Sequence, residues 1–151
     1  MRRTHTALAA ALAPLAIVGL LAAAPTASAA TPPVKIYYVY YNSPGPDTGS
    51  NASLNAEYVV IKNMTTTNRS LTGWTLKDKA GHTYRFPTFT LKAGAKVYVR
   101  TGKGTATATT RYYNYSWYVW NNTGDTAYLR DAKGYLQHSC TWGSTGFAKY
   151  C

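Results

Sequence analysis

Between Glu57 and Asp78 the chain alternates with a period of two, which points to strands. In Tyr58-Val59-Val60-Ile61-Lys62-Asn63, Val59 and Ile61 fall on one face, Val60 and Lys62 on the other, as a half-buried strand requires. After a polar insert, Met64–Ser70, the pattern resumes: Trp74 and Leu76 share a face, with Thr75 and Lys77 opposite. The spacing predicts two strands, Glu57–Asn63 and Leu71–Asp78, joined as a hairpin-like pair, with Trp74 as the largest core side chain.

The rest of the chain repeats this grammar. Val34–Tyr41 is dense in β-formers, and Asn42–Ser53 is a run of turn residues. Strands are predicted over His82–Phe86, Ala95–Arg100, Thr126–Arg130 and Tyr135–Cys140, with Asp78–Gly81 and Asp131–Gly134 as type I turns. No window beyond residue 29 carries helical apolar spacing over ten residues, so no helix is predicted there. The expected architecture is all-β: an antiparallel β-sandwich of seven to nine strands. Its core is expected to hold Val59, Ile61, Trp74, Leu76, Phe86, Val97, Val99 and Leu129.

Residues 1–29 have the form of a secretory signal peptide. Arg2 and Arg3 precede an apolar run, Leu8–Ala24, and Ala27-Ser28-Ala29 is a small-residue cleavage site. Residues 30–33 then form a linker, and residues 34–151 the folded domain. A secreted, extracellular product follows, not inserted in the membrane after cleavage. Without Arg2 and Arg3, fourteen Lys and Arg face five Asp and Glu, a charge of +9 that attracts polyanions. In an oxidising compartment Cys140 and Cys151 are expected to pair and close a C-terminal disulfide loop, and Cys-x-x-Cys spacing is absent.

The chain resembles a lamin-tail domain, the immunoglobulin-like sandwich of nuclear lamins and of many secreted bacterial proteins. Glu57–Asn63, Leu71–Leu76, Tyr84–Pro87 with Phe89–Gly94, Val97 with Val99, and Val119–Asn122 with Gly124–Ala127 and Leu129 carry the resemblance. It covers roughly Val34 to Leu136 and implies an immunoglobulin-like topology for the sandwich. It also implies a non-enzymatic module of a kind often attached to exported enzymes, here a secreted bacterial single-domain member with no enzyme beside it.

The residues themselves supply no catalytic set. Asp78, Asp125 and Asp131 have turn roles, and neither His82 nor His138 has metal-ligand spacing. No cofactor is expected, apart from a calcium reading in which Asp47, Asn51, Asn55 and Glu57 offer oxygen ligands without the EF-hand pattern. The sharper signal is Arg111–Trp120, which holds six aromatics, more than one strand can turn inward. Lys103, Arg111, Tyr112, Tyr115, Trp117 and Tyr118 are therefore the candidate ligand contacts, unless the Thr101–Thr110 loop folds over the rings. The expected function is a monomeric binding or structural module engaging an unidentified extracellular partner. That partner is a cell-envelope or extracellular polymer or another exported protein. The alternatives are an anionic polymer such as nucleic acid, and a small secreted hydrolase.

Overall fold

Short β-rich segments separated by turns can bury their apolar faces only against one another, and the chain does this in two facing sheets. The computed structural model describes residues 30–151; the signal segment read over residues 1–29 lies outside the described residues. The five-stranded sheet runs β11 (Ala148–Tyr150), β1 (Val34–Tyr40), β2 (Tyr58–Asn63), β7 (Lys96–Arg100), β8 (Thr110–Tyr112). The four-stranded sheet runs β10 (Leu136–Trp142), β9 (Asp125–Arg130), β4 (Thr75–Lys77), β5 (Thr83–Arg85). A two-stranded patch pairs β3 (Arg69–Ser70) with β6 (Thr90–Leu91). The fold is the expected immunoglobulin-like sandwich, with eleven strands in place of seven to nine among the described residues. The surplus is short: β3 and β6 have two residues each, β8 and β11 three. One pairing departs from the antiparallel rule, since β8 runs parallel to β7.

Three expectations need correction. The Glu57–Asn63 and Leu71–Asp78 segments are not a hairpin: β2 pairs with β1 and β7, whereas β4 pairs with β5 and β9 in the opposite sheet. The insert between them is an arch pinned by buried Asn63. The Asn63 amide donates to the carbonyls of Thr67, Leu91 and Lys92, and its oxygen accepts from the Thr65 amide and hydroxyl. Gly73, at φ 77°, takes the left-handed turn that carries the chain across.

Trp74 follows from the same arch. The backbone turns through Leu71–Trp74, with the Trp74 amide on the Leu71 carbonyl, so Leu71 is buried and Trp74 only packs against the core's margin. Trp120, 1% exposed, is the large central side chain instead. The other seven expected core residues are buried.

The third correction is a helix, α1 (Asn51–Ala56), within the stretch read without one. The Ser50 hydroxyl caps it by accepting from the Ser53 amide. Six residues with Leu54 as the one buried side chain carry no helical repeat, which is why periodicity missed it.

Candidate binding face

The alternation of β1, β2 and β7 that sends Ile36, Val59, Ile61, Val97 and Val99 inward sends their neighbours to the outer face of the five-stranded sheet. Strand register sorts these neighbours into rows. Lys35 stands opposite Lys62, and Lys62 opposite Lys96, giving three lysines in line across β1, β2 and β7. Two residues along, Tyr150, Tyr38, Val60 and Tyr98 form the next row. Tyr40, Tyr58, Arg100 and Tyr112 form the third. A β-bulge between Ile36 and Tyr38 inserts Tyr37 between the lysine row and the first tyrosine row.

The rings touch across strands. Centroids are 4.6 Å apart for Tyr38–Tyr150, 6.2 Å for Tyr38–Tyr58 and 5.5 Å for Tyr58–Tyr98, and Tyr40 stacks on Tyr58 at 5.6 Å. Tyr37, Tyr38, Tyr58, Tyr98 and Tyr150, with Val60 and Lys96, wall a shallow hollow. The ammonium groups of Lys35, Lys62 and Lys96 lie 5.9, 5.1 and 4.5 Å from the Tyr37 ring centroid, and the Arg100 guanidinium 5.1 Å from that of Tyr58. Buried Tyr41 and Tyr113 donate their hydroxyls to the carbonyls of Thr145 and Leu76. Among the described residues, the hydroxyls of Tyr37, Tyr38, Tyr40, Tyr58, Tyr98 and Tyr150 have no protein partner. Burial, then the neighbouring phenols, raises the Tyr38 pKa above its ordinary value; burial and Tyr98 do the same for Tyr58. Both hydroxyls therefore stay protonated near neutral pH, and the charge on the face is cationic.

The acidic residues are committed elsewhere. Asp78 accepts from the amides of Gly81 and His82 and pairs with the His82 ring at 2.6 Å. Asp125 accepts from the amides of Lys79, Asn121 and Thr126, and Asp131 from those of Lys133 and Tyr135. Glu57, fully buried, accepts from the Thr101 hydroxyl and the Val119 amide. Burial pushes its carboxyl up to about 7 against those two hydrogen bonds. The pair His82–Asp78 is the single side-chain ion pair among the described residues, so no Lys or Arg there is paired with an Asp or Glu; the Lys35 ammonium donates instead to the backbone oxygen of Cys151 at 2.9 Å.

The residues singled out in Arg111–Trp120 do not share a surface. Tyr112 joins the outer face, with its ring so close to Gly104 that a β-carbon there would sit 2.3 Å from it. The Thr101–Thr110 loop thus covers this ring and leaves the others. Arg111 lies on the opposite side of β8, 4.2 Å over the Phe89 ring. Tyr115, Trp117 and Tyr118 line a second shallow hollow with His82, in which Trp117 is 63% exposed. The Tyr118 hydroxyl is bonded to Ser53 of α1. Lys103 is held by its backbone: its carbonyl accepts from the Asn51 and Asn55 amides, and its own amide donates to Asn51. Of the residues considered for calcium, Asn51 and Asn55 are therefore occupied with Lys103, Asp47 accepts from Asn122, and Glu57 faces inward. No group of three or more His, Cys, Asp or Glu that could hold a metal occurs among the described residues.

Cys140 and Cys151 stand at disulfide distance, Cα to Cα 5.8 Å, and join β10 of one sheet to the end of β11 on the other. No helix among the described residues is long and apolar enough to cross a membrane.

Sequence reasoning missed the outer-face rows, although a signal was present. Tyr58 and Lys62, and Lys96, Tyr98 and Arg100, occupy the parity opposite to core residues; on β1, Tyr38 and Tyr40 share the parity of buried Val34 and Ile36, and only the bulge at Tyr37 turns them outward. What the sequence does not carry is the cross-strand register that lines them up. The family model described as the Lamin Tail Domain matches residues 27–144, which leaves β11 and Cys151 beyond the matched span. No curated protein matches the chain.

Proposed function

The chain belongs to the lamin tail domain family, a non-catalytic immunoglobulin-like family, and from that premise we propose that it is an exported binding module that holds an anionic polymer on the outer face of its five-stranded sheet. The observation that carries this reading is the row Lys35–Lys62–Lys96. Like charges directly opposite on neighbouring strands destabilise a sheet. Here two such pairs stand side by side with no Asp or Glu among the described residues to offset them; Lys35 donates to the Cys151 backbone oxygen, and Lys62 and Lys96 have no such oxygen. An anion laid along the row turns that cost into attraction. The tyrosine rows beside it add flat apolar surface and unpartnered hydroxyls, the combination that binds extended polymers by stacking and hydrogen bonding. Export is supported by the form of residues 1–29 and by the Cys140–Cys151 pair.

The test is retention on heparin and single-stranded DNA columns at low and high salt. Wild type is expected to be retained at low salt and released as salt rises, because bound cations release counterions. Lys62→Gln/Lys96→Gln is expected to elute earlier, and Trp117→Ala with the wild type. Absence of retention at low salt on both columns overturns the reading. So does a double variant that elutes with wild type. Early elution of Trp117→Ala alone would shift the binding surface to the His82–Tyr118 hollow.

A further inference from the structure

We infer that the polymer is a single-stranded nucleic acid, with its phosphodiesters along Lys35, Lys62 and Lys96 and its bases against Tyr38, Tyr58 and Tyr98. This rests on the proposed function and narrows it.

The composition of the face is the first support. Tyr37, Tyr38, Tyr40, Tyr58 and Tyr98 stand with Lys35, Lys62, Lys96 and Arg100 on β1, β2 and β7, five flat rings beside four cations. A nucleic-acid strand likewise interleaves flat bases with charged phosphates. Spacing is the second. The lysine row and the first tyrosine row are two residues apart along β2 and β7, about 7 Å, and three apart along β1, where the bulge at Tyr37 intervenes; this is on the order of the offset between a nucleobase and its own phosphate. Chemistry is the third. Lysine ammonium groups act as point charges that suit a phosphodiester. The unpartnered phenol hydroxyls can donate to or accept from base edges. No Asp or Glu stands in any of the three rows to repel a phosphate backbone, and a phosphate at Lys35 would share its ammonium with the Cys151 backbone oxygen.

Shape selects a single strand over a duplex. The rings run across four strands as one strip, and bases reach such a strip only when unpaired and splayed outward. The one helix among the described residues, α1, has six residues, and its Asn51 and Asn55 side chains are bound to the Lys103 loop; it is not presented to a groove.

The measurement is fluorescence anisotropy of a labelled twelve-residue oligothymidylate with the full folded domain over a salt series, with an unlabelled duplex and a heparin fragment as competitors. Three neutralised phosphates predict a slope of log K against log salt of about −2 for a single strand. Lys62→Gln/Lys96→Gln is expected to flatten that slope to about −0.7. Tyr58→Leu is expected to weaken binding about tenfold and leave the slope unchanged, the mark of lost stacking. If Tyr58→Leu does not fold, Tyr150→Ser, at a position 71% exposed, replaces it. Retention of heparin without oligothymidylate binding leaves the polymer reading standing and overturns this one. Oligothymidylate binding that is indifferent to both tyrosine substitutions, or a duplex that competes as well as the single strand, also overturns it. Failure of both heparin and oligothymidylate removes the two readings together.

Discussion

Lys62 and Lys96 face each other directly across β2 and β7, and both ammonium groups lean over the same Tyr37 ring, at 5.1 and 4.5 Å. The ring's negative face holds two cations that would otherwise separate. Substituting one should therefore stabilise the free protein while weakening its hold on anions. Lys96→Gln is expected to gain about 0.5 kcal/mol in dilute buffer, within the range for cross-strand pairs. That gain should vanish in about 1 M salt, where screening removes the repulsion. Paired denaturation curves at the two salt concentrations check this; equal stability of the two proteins in dilute buffer would contradict it.

Glu57 makes a prediction about pH. Its carboxyl is pushed up to about 7 in the folded protein by burial, with a smaller contribution from Asp47. Between the unfolded value, near 4.5, and about 7 the folded state holds the proton and the unfolded state does not. Stability therefore falls as pH rises through this window and levels off on both sides. The loss is on the order of 3 kcal/mol for a shift of this size. Glu57→Gln keeps an acceptor for the Thr101 hydroxyl and the Val119 amide and removes the titration. Unfolding free energies from pH 4 to 8 should slope downward for wild type and run flatter for the variant. A wild-type curve that rises across that range would refute the assignment.

The two tryptophans at the ends of the arch and of the aromatic run should not be equivalent. Trp120→Ala empties a site that is 1% exposed and is expected to cost about 3–5 kcal/mol. Trp74→Ala, at the margin of the core, should cost less than half of that, about 1–2 kcal/mol. Chemical denaturation of the two variants decides the order, and a larger loss at Trp74 would restore the straight strand that alternation suggested.

These cases show what the sequence makes legible. Period-two alternation places Val59, Ile61, Val97 and Val99 inward correctly, because side-chain parity is local to each strand. Turn chemistry is legible for the same reason: Asp78 and Asp131 accept backbone amides where Asp-x-x-Gly predicts a turn. Partners across space are not local. Whether Leu76 pairs with the strand before it or crosses to Tyr84 and Leu129 depends on how the arch is anchored, and the anchor is the buried amide of Asn63. The lysine row is invisible for the same reason, since Lys35, Lys62 and Lys96 are neighbours through register alone. The aromatic count over Arg111–Trp120 is a true signal with several outlets: Tyr113 and Trp120 enter the core, Tyr112 joins the sheet face, and Trp117 stays outside.

The last prediction concerns β11, which lies beyond the span matched by the family model and carries Tyr150 into the binding face. Only three residues pair it with β1, so strand pairing alone holds it weakly, and the Cys140–Cys151 link ties its end to β10. Closing a loop of this length contributes about 3 kcal/mol in the chain-entropy model. A Cys140→Ser/Cys151→Ser variant is expected to lose about that much stability and to release β11 first. The amides of Tyr41 and Asn42, which donate to the Phe147 carbonyl, and of Cys151, which donates to the Tyr37 carbonyl, should then exchange rapidly. Those of Asn63 and Thr101, bonded to the carbonyls of Ala95 and Glu57 between β2 and β7, should keep their protection. Anionic-polymer binding should weaken without disappearing, because Lys62 and Lys96 stay in place while Tyr150 leaves. Intact-mass measurement of the wild type, two hydrogens lighter than its reduced form, establishes the starting state. Unchanged protection at Tyr41, Asn42 and Cys151 in the variant would show that β11 holds by pairing alone.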